Sequence, residues 1–168
     1  SFEDLSPQIV AGRLQESDLQ VFTPSAAFLL AVIHHGGKDP FNELKYVLDF
    51  TFILRRHGEI DWEWVLEMAR RFRSERLVYV AVGLAHELLG APLPSAVKAE
   101  TLSSVIQRLT RNRIRFMANA LEYWHPWIFI NDWLFRIRSR SGFRLKWQLA
   151  WYITGKIMNQ VTVKLRGR

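Results

Sequence analysis

The chain has 168 residues, room for one domain or for one and a fragment of another, and its 49% hydrophobic and 23% charged side chains are an ordinary globular mixture that can fill a core. It contains no cysteine, which excludes disulfides and thiolate metal sites. The net charge of +7 is lopsided: residues 1–100 carry 10 Lys/Arg against 14 Asp/Glu, a net of −4, and residues 101–168 carry 13 against 2, a net of +11.

Gln8–Ala11 and Asp18–Phe22 are short, partly alternating segments separated by Gly12 and a polar run, the pattern of a small β-hairpin. Two strands alone are marginal in water, so the pair needs a sheet or helix to lean on. Helical signals begin at Thr23-Pro24, an N-cap followed by proline at the first helical position. The first helix is expected to reach His35, with Gly36-Gly37 as its stop. A second is expected from Pro40 to His57. It is apolar almost all round, which predicts a central, buried helix with a narrow polar stripe of Asn42, Lys45, Asp49 and Arg56. That stripe reads either as the lining of a cleft or as a solvated edge with a Lys45–Asp49 pair.

Asp61 is placed to cap a third helix through Arg73, and Ser74 a fourth that stops at Gly90. Pro92 and Pro94 mark a linker. A further helix is expected from about Leu102 to Tyr123, interrupted by Arg111, Arg113 and Arg115. Pro126 and Ser141-Gly142 divide the remainder into two shorter helices, and Val161–Arg168 reads as a short strand or a frayed end. The fold class is therefore mainly α, a bundle of about six helices preceded by a short β-hairpin. No stretch approaches the roughly 18 apolar residues of a membrane span. The start, Ser1-Phe2-Glu3-Asp4, lacks the basic and apolar regions of a signal peptide, and the lack of cysteine fits the expected reducing, cytoplasmic setting.

Two groups of residues could carry function. His34 and His35 are adjacent, hence about 100° apart on a helix and poorly placed to chelate one metal. Gly36-Gly37-Lys38 is too short for a phosphate loop. The basic, Trp-rich second half is the other group. Arg111, Arg113, Arg115, Arg136, Arg138, Arg140, Arg144 and Lys146 alternate with aromatics that could stack bases, lie on an anionic membrane surface, or simply pack in the core.

The order His35-Gly36, seven residues, Leu44-Lys45-Tyr46, then Asp49 resembles a bacterial nucleotidyltransferase family of the DNA polymerase β-like superfamily. Ile53-Leu54, Ile60-Asp61-Trp62, Ala69-Arg70, Arg76, Leu84-Ala85 and Leu88–Pro94 continue the resemblance in register, and Val10-Ala11-Gly12 through Phe22-Thr23-Pro24 precede it. It spans about residues 8 to 94. The resemblance implies a two-part protein, in which an α/β core carries a Gly-Ser turn and paired carboxylates holding Mg²⁺ on a nucleoside triphosphate. A helical C-terminal region then positions nucleotide or acceptor, with His35, Lys45 and Asp49 as the residues for that task.

This sequence has no Gly-Ser dipeptide, and Asp61-Trp62-Glu63 sits where a helix cap is expected, so no catalytic or metal residue is assigned and no cofactor is expected on this chain alone. Residues 1–23 would be a hairpin remnant of the upstream core and 24–168 the helical domain, with a subdivision near 92–96. Asp39 and Glu43 stand where the family pattern often has a histidine and a basic residue, which weakens any phosphate contact there. A non-catalytic module for nucleic acid or an anionic membrane surface is the alternative.

Overall fold

The computed structural model describes residues 8–14, 17–38, 40–56, 60–119 and 126–139. Two antiparallel strands, β1 (Ile9–Leu14) and β2 (Ser17–Phe22), pair from Ile9 opposite Phe22 to Leu14 opposite Ser17. Gly12 is required by this pairing, because a Cβ there would lie 2.8 Å from Val21 Cγ2. The hairpin is tied to the first helix at Thr23. The Thr23 N–H donates to Gln8 O (2.8 Å), and its hydroxyl donates to Gln8 Oε1 (2.5 Å) while accepting from Ala26 N (3.3 Å). Thr23 thus caps α1 (Pro24–Gly37) as its sequence predicts.

Six more helices come after it among the described residues: α2 (Leu44–Arg56), α3 (Trp62–Arg71), α4 (Glu75–Leu89), α5 (Ser95–Thr101), α6 (Ser104–Asn119) and α7 (Pro126–Arg138). The mainly helical class with an N-terminal hairpin is what the sequence predicts. Asp61 caps α3 by accepting from Trp64 N at 3.0 Å. Ser74 precedes α4, but its hydroxyl turns back to Ala69 O instead of capping. Gly90 ends α4 in the left-handed region (φ 63°), with its N–H on His86 O, the αL closure, and the Ala91 N–H on Ala85 O.

Four expectations are corrected. Gly36 does not stop α1; it lies inside it, buried, because a Cβ there would meet the Phe41 ring at 2.6 Å. Pro40 does not open α2, which starts at Leu44 after a turn in which Phe41 adopts φ 50°. The arginines of α6 do not interrupt it, and the short α5 precedes it. Finally, α2 is not the central helix. Leu44, Leu48 and Phe52, four residues apart, are 49%, 50% and 58% exposed. The centre is α4, where Val80 to Ala85 are six consecutive buried residues. Its small side chains Ala81, Gly83 and Ala85 admit close neighbours, and a Cβ on Gly83 would lie 2.8 Å from Thr110 Oγ1 of α6. Around it pack Phe28, Leu29 and Val32 of α1, Val47 and Phe50 of α2, and Val65 and Met68 of α3. Ile106 and Leu109 of α6 join the same core. The predicted final helix and the 161–168 segment lie outside the described residues.

Candidate functional site, the junction of α1 and α2

The last turn of α1 and the first half of α2 bring the sequence's candidate residues together. His35 Nε2 lies 3.3 Å from Asp49 Oδ2, with the imidazole mostly covered and the carboxylate exposed. The other side of the pair is an aromatic stack: the His35 and Tyr46 rings are 4.2 Å apart and 13° from parallel. His34 meets His35 edge-on and does not share a ligand with it, as helical adjacency dictates.

Lys45 pairs with Glu43 (2.6 Å), and its ammonium lies 5.1 Å from the Tyr46 ring centroid. The Tyr46 hydroxyl donates to Glu43 Oε1 at 3.1 Å. Lys45 and then Tyr46 hold the Glu43 carboxyl below its ordinary pKa. Glu43 is therefore the residue that engages Lys45. The arrangement brings a mostly covered imidazole within 3.3 Å of an exposed carboxylate, beside an exposed ammonium and a second carboxylate. It can orient a polar ligand; it has no oxyanion cradle or activated nucleophile.

The loop between the two helices is held from the far end of the chain. Arg113 of α6 is 1% exposed. Its Nη1 donates toward Pro40 O (3.1 Å), Asn42 Oδ1 (3.1 Å) and Asp132 Oδ1 (2.7 Å) of α7, and its guanidinium lies between the Phe116 and Phe135 rings. Burial pulls the Arg113 pKa below its ordinary value, and the bond to Asp132 pulls it back up. Arg136 donates to Gly37 O (3.0 Å) and Lys38 O (2.6 Å), the end of α1, and lies 3.9 Å from Asp132. Phe41, in the strained turn, packs on Phe50 and Phe135.

The basic-face candidates consequently separate. Arg111, Arg115 and Arg138 are exposed. Arg113 is not on any face, and Arg136 is engaged by backbone carbonyls. Arg140, Arg144 and Lys146 lie outside the described residues. Arg113 could have been set apart from sequence, because two positions along a helix turn a side chain by about 200°. Asp132 carried a weaker signal: it is one of only two carboxylates after residue 100. Asn42 belongs to the clamped loop, not to the α2 stripe, and the Arg56 side chain is outside the described residues.

Among the described residues no group of three or more His, Asp or Glu side chains could hold a metal ion, and no helix is long and apolar enough to cross a membrane. Asp61 Oδ1 accepts from Trp64 N and Glu63 is exposed in the first turn of α3, so this pair serves the helix end. No curated protein and no solved structure is similar enough to match the chain. The model of a family described as uncharacterised nucleotidyltransferases matches residues 1–90, more than half of the sequence and the whole of the segment that builds the His35–Asp49 face, and the chain belongs to that family.

Proposed function

We propose that these 168 residues are the helical region of a nucleotidyltransferase that positions nucleotide or acceptor, and that the catalytic carboxylates come from a core outside them. The single observation that carries this reading is the junction of His35 and Asp49. Two residues from different helices of the family-matched segment meet at 3.3 Å on an exposed face. A solvated edge needs no such convergence.

The described residues do not fit the metal-dependent half of the reaction. Transfer of a nucleotidyl group needs paired carboxylates to hold Mg²⁺ against the triphosphate. Among the described residues the carboxylates at the candidate face are engaged elsewhere, Asp49 with His35 and Glu43 with Lys45 and Tyr46. No step through the metal is assigned to them. The work left to this face is orientation: Asp49 fixes the His35 ring, Tyr46 supports its flat side, and Lys45 supplies a positive charge.

The test is an NMR titration of the chain with Mg²⁺-ATP. Weak binding with shifts confined to the signals of His35, Tyr46 and Asp49, and lost in His35→Ala, is expected. Shifts that map to another face, or that survive His35→Ala unchanged, would overturn the assignment.

A further inference from the structure

We propose that the outer face of α6 is a docking surface for the phosphate backbone of a nucleic acid, with Arg108, Arg111 and Arg115 as its contacts. These three residues are separated by three and four positions, which places them in one row, and all three are exposed. The row covers about 10 Å of helix axis, one charge per roughly 5 Å, of the same order as the roughly 3.4 Å per phosphate along one nucleic-acid strand. Among the described residues none of the three has a carboxylate partner, in contrast to Arg70, Arg113 and Arg136. Helix α6 itself contains no acidic residue. Of the two carboxylates after residue 100, Asp132 is committed to Arg113 and Arg136.

The occupant is a nucleic-acid backbone and not a lipid surface, for a geometrical reason. A helix that lies on a membrane must turn its apolar face to the lipid. In α6 that face, Ile106 and Leu109 with Thr110 and Arg113, is buried in the core. The rest of the exposed face of α6 is mostly small or polar: Asn112 and Asn119 can hydrogen-bond phosphate or sugar oxygens, and Val105, near the start of the helix, is its one exposed large apolar side chain. Guanidinium groups bind phosphate through two parallel N–H donors, so a row of arginines suits a phosphate chain. This surface is built by α6 alone and does not depend on what His35 and Asp49 do.

The experiment is the salt dependence of binding by the full chain, read by fluorescence anisotropy with mixed-sequence single-stranded RNA, duplex RNA and duplex DNA of about 20 nucleotides. Binding at low salt is expected. Each of Arg108→Gln, Arg111→Gln and Arg115→Gln should reduce the slope of log K against log salt by about 0.7–0.9, and the triple variant by about 2–3. Lys98→Gln on α5 and Arg73→Gln in the turn between α3 and α4, both exposed cations outside α6, should leave the slope unchanged. Circular dichroism checks that each variant is folded, and the single variants carry the test if the triple variant is not. No binding at low salt would overturn the proposal, as would a slope unchanged in folded row variants or one lowered equally by the two controls. Tighter binding to phosphatidylglycerol vesicles than to any of the nucleic acids would overturn it in favour of a membrane surface.

Discussion

Arg113 and Arg115 stand two positions apart on α6 and meet opposite environments. Arg115 is in solvent, and Arg113 is buried against Asp132, two loop oxygens and two phenylalanine rings. A buried cation is stable only while its partners remain. Asp132→Ala should therefore cost roughly 3 kcal/mol in urea denaturation, at the low end for a broken buried pair because the carboxylate keeps some solvent access. Arg113→Met should cost less, since the Asp132 carboxylate it leaves behind is 19% exposed and keeps Arg136 at 3.9 Å, whereas the guanidinium left by Asp132→Ala is 1% exposed. An equal or greater loss would mean that the guanidinium contributes mainly by its packing. Glu43 gives a second test. Its carboxyl is held below the ordinary glutamate range, first by the bond to Lys45, so Lys45→Met should raise its midpoint in an NMR pH titration. The interaction is present above the ordinary glutamate range and is lost as pH falls through the depressed value. Both carboxylate and ammonium are largely exposed, so this titration should leave overall stability almost unmoved.

Among the elements, helix ends were the most legible. Thr23, Asp61 and Gly90 close or open helices as their chemistry dictates, because a cap is settled within a few neighbouring residues. Centrality depends on more than apolar residues all round a helix. Leu77 to Ala85 of α4 is the longer unbroken apolar run, whereas Lys45, Asp49 and Thr51 interrupt α2, and α4 is the helix surrounded by neighbours, since its Ala81, Gly83 and Ala85 let them approach. Periodicity identifies a face but not the partner that covers it. Gly36 shows the same limit: it reads as a helix stop from sequence, while its place is set by the Phe41 ring, across the turn that ends α1. Gly36→Ala should then destabilise by roughly 1–3 kcal/mol through overpacking, measured by thermal or urea melting. A stabilised Gly36→Ala variant, the result expected if Gly36 were an ordinary mid-helix glycine, would contradict this placement.

At the scale of the molecule, residues beyond the family-matched segment brace the face that the segment builds. Arg113, Asp132 and Arg136 lie after residue 90, and their bonds reach the loop from Gly37 to Asn42. His35 and Asp49 were both visible as candidates, but their pairing depends on α1 and α2 packing side by side, and the arginine clamp depends on contacts across 71 to 99 positions. No local pattern encodes such separations. Arg136→Ala should consequently speed hydrogen exchange at the Lys38 and Phe41 amides while α3 amides keep their protection; unchanged loop exchange would show that the clamp does not hold the loop.

The central claim is that this chain positions a nucleotide or acceptor and draws its catalytic carboxylates from elsewhere. The direct measurement is transfer of label from each α-³²P nucleoside triphosphate, with Mg²⁺ or Mn²⁺, by the purified 168-residue chain to RNA, protein and small hydroxylated acceptors. No transfer above the background of a His35→Ala, Asp49→Asn control is predicted. Robust transfer by the unaltered chain would contradict the claim, because it would place a complete nucleotidyltransferase site within these residues.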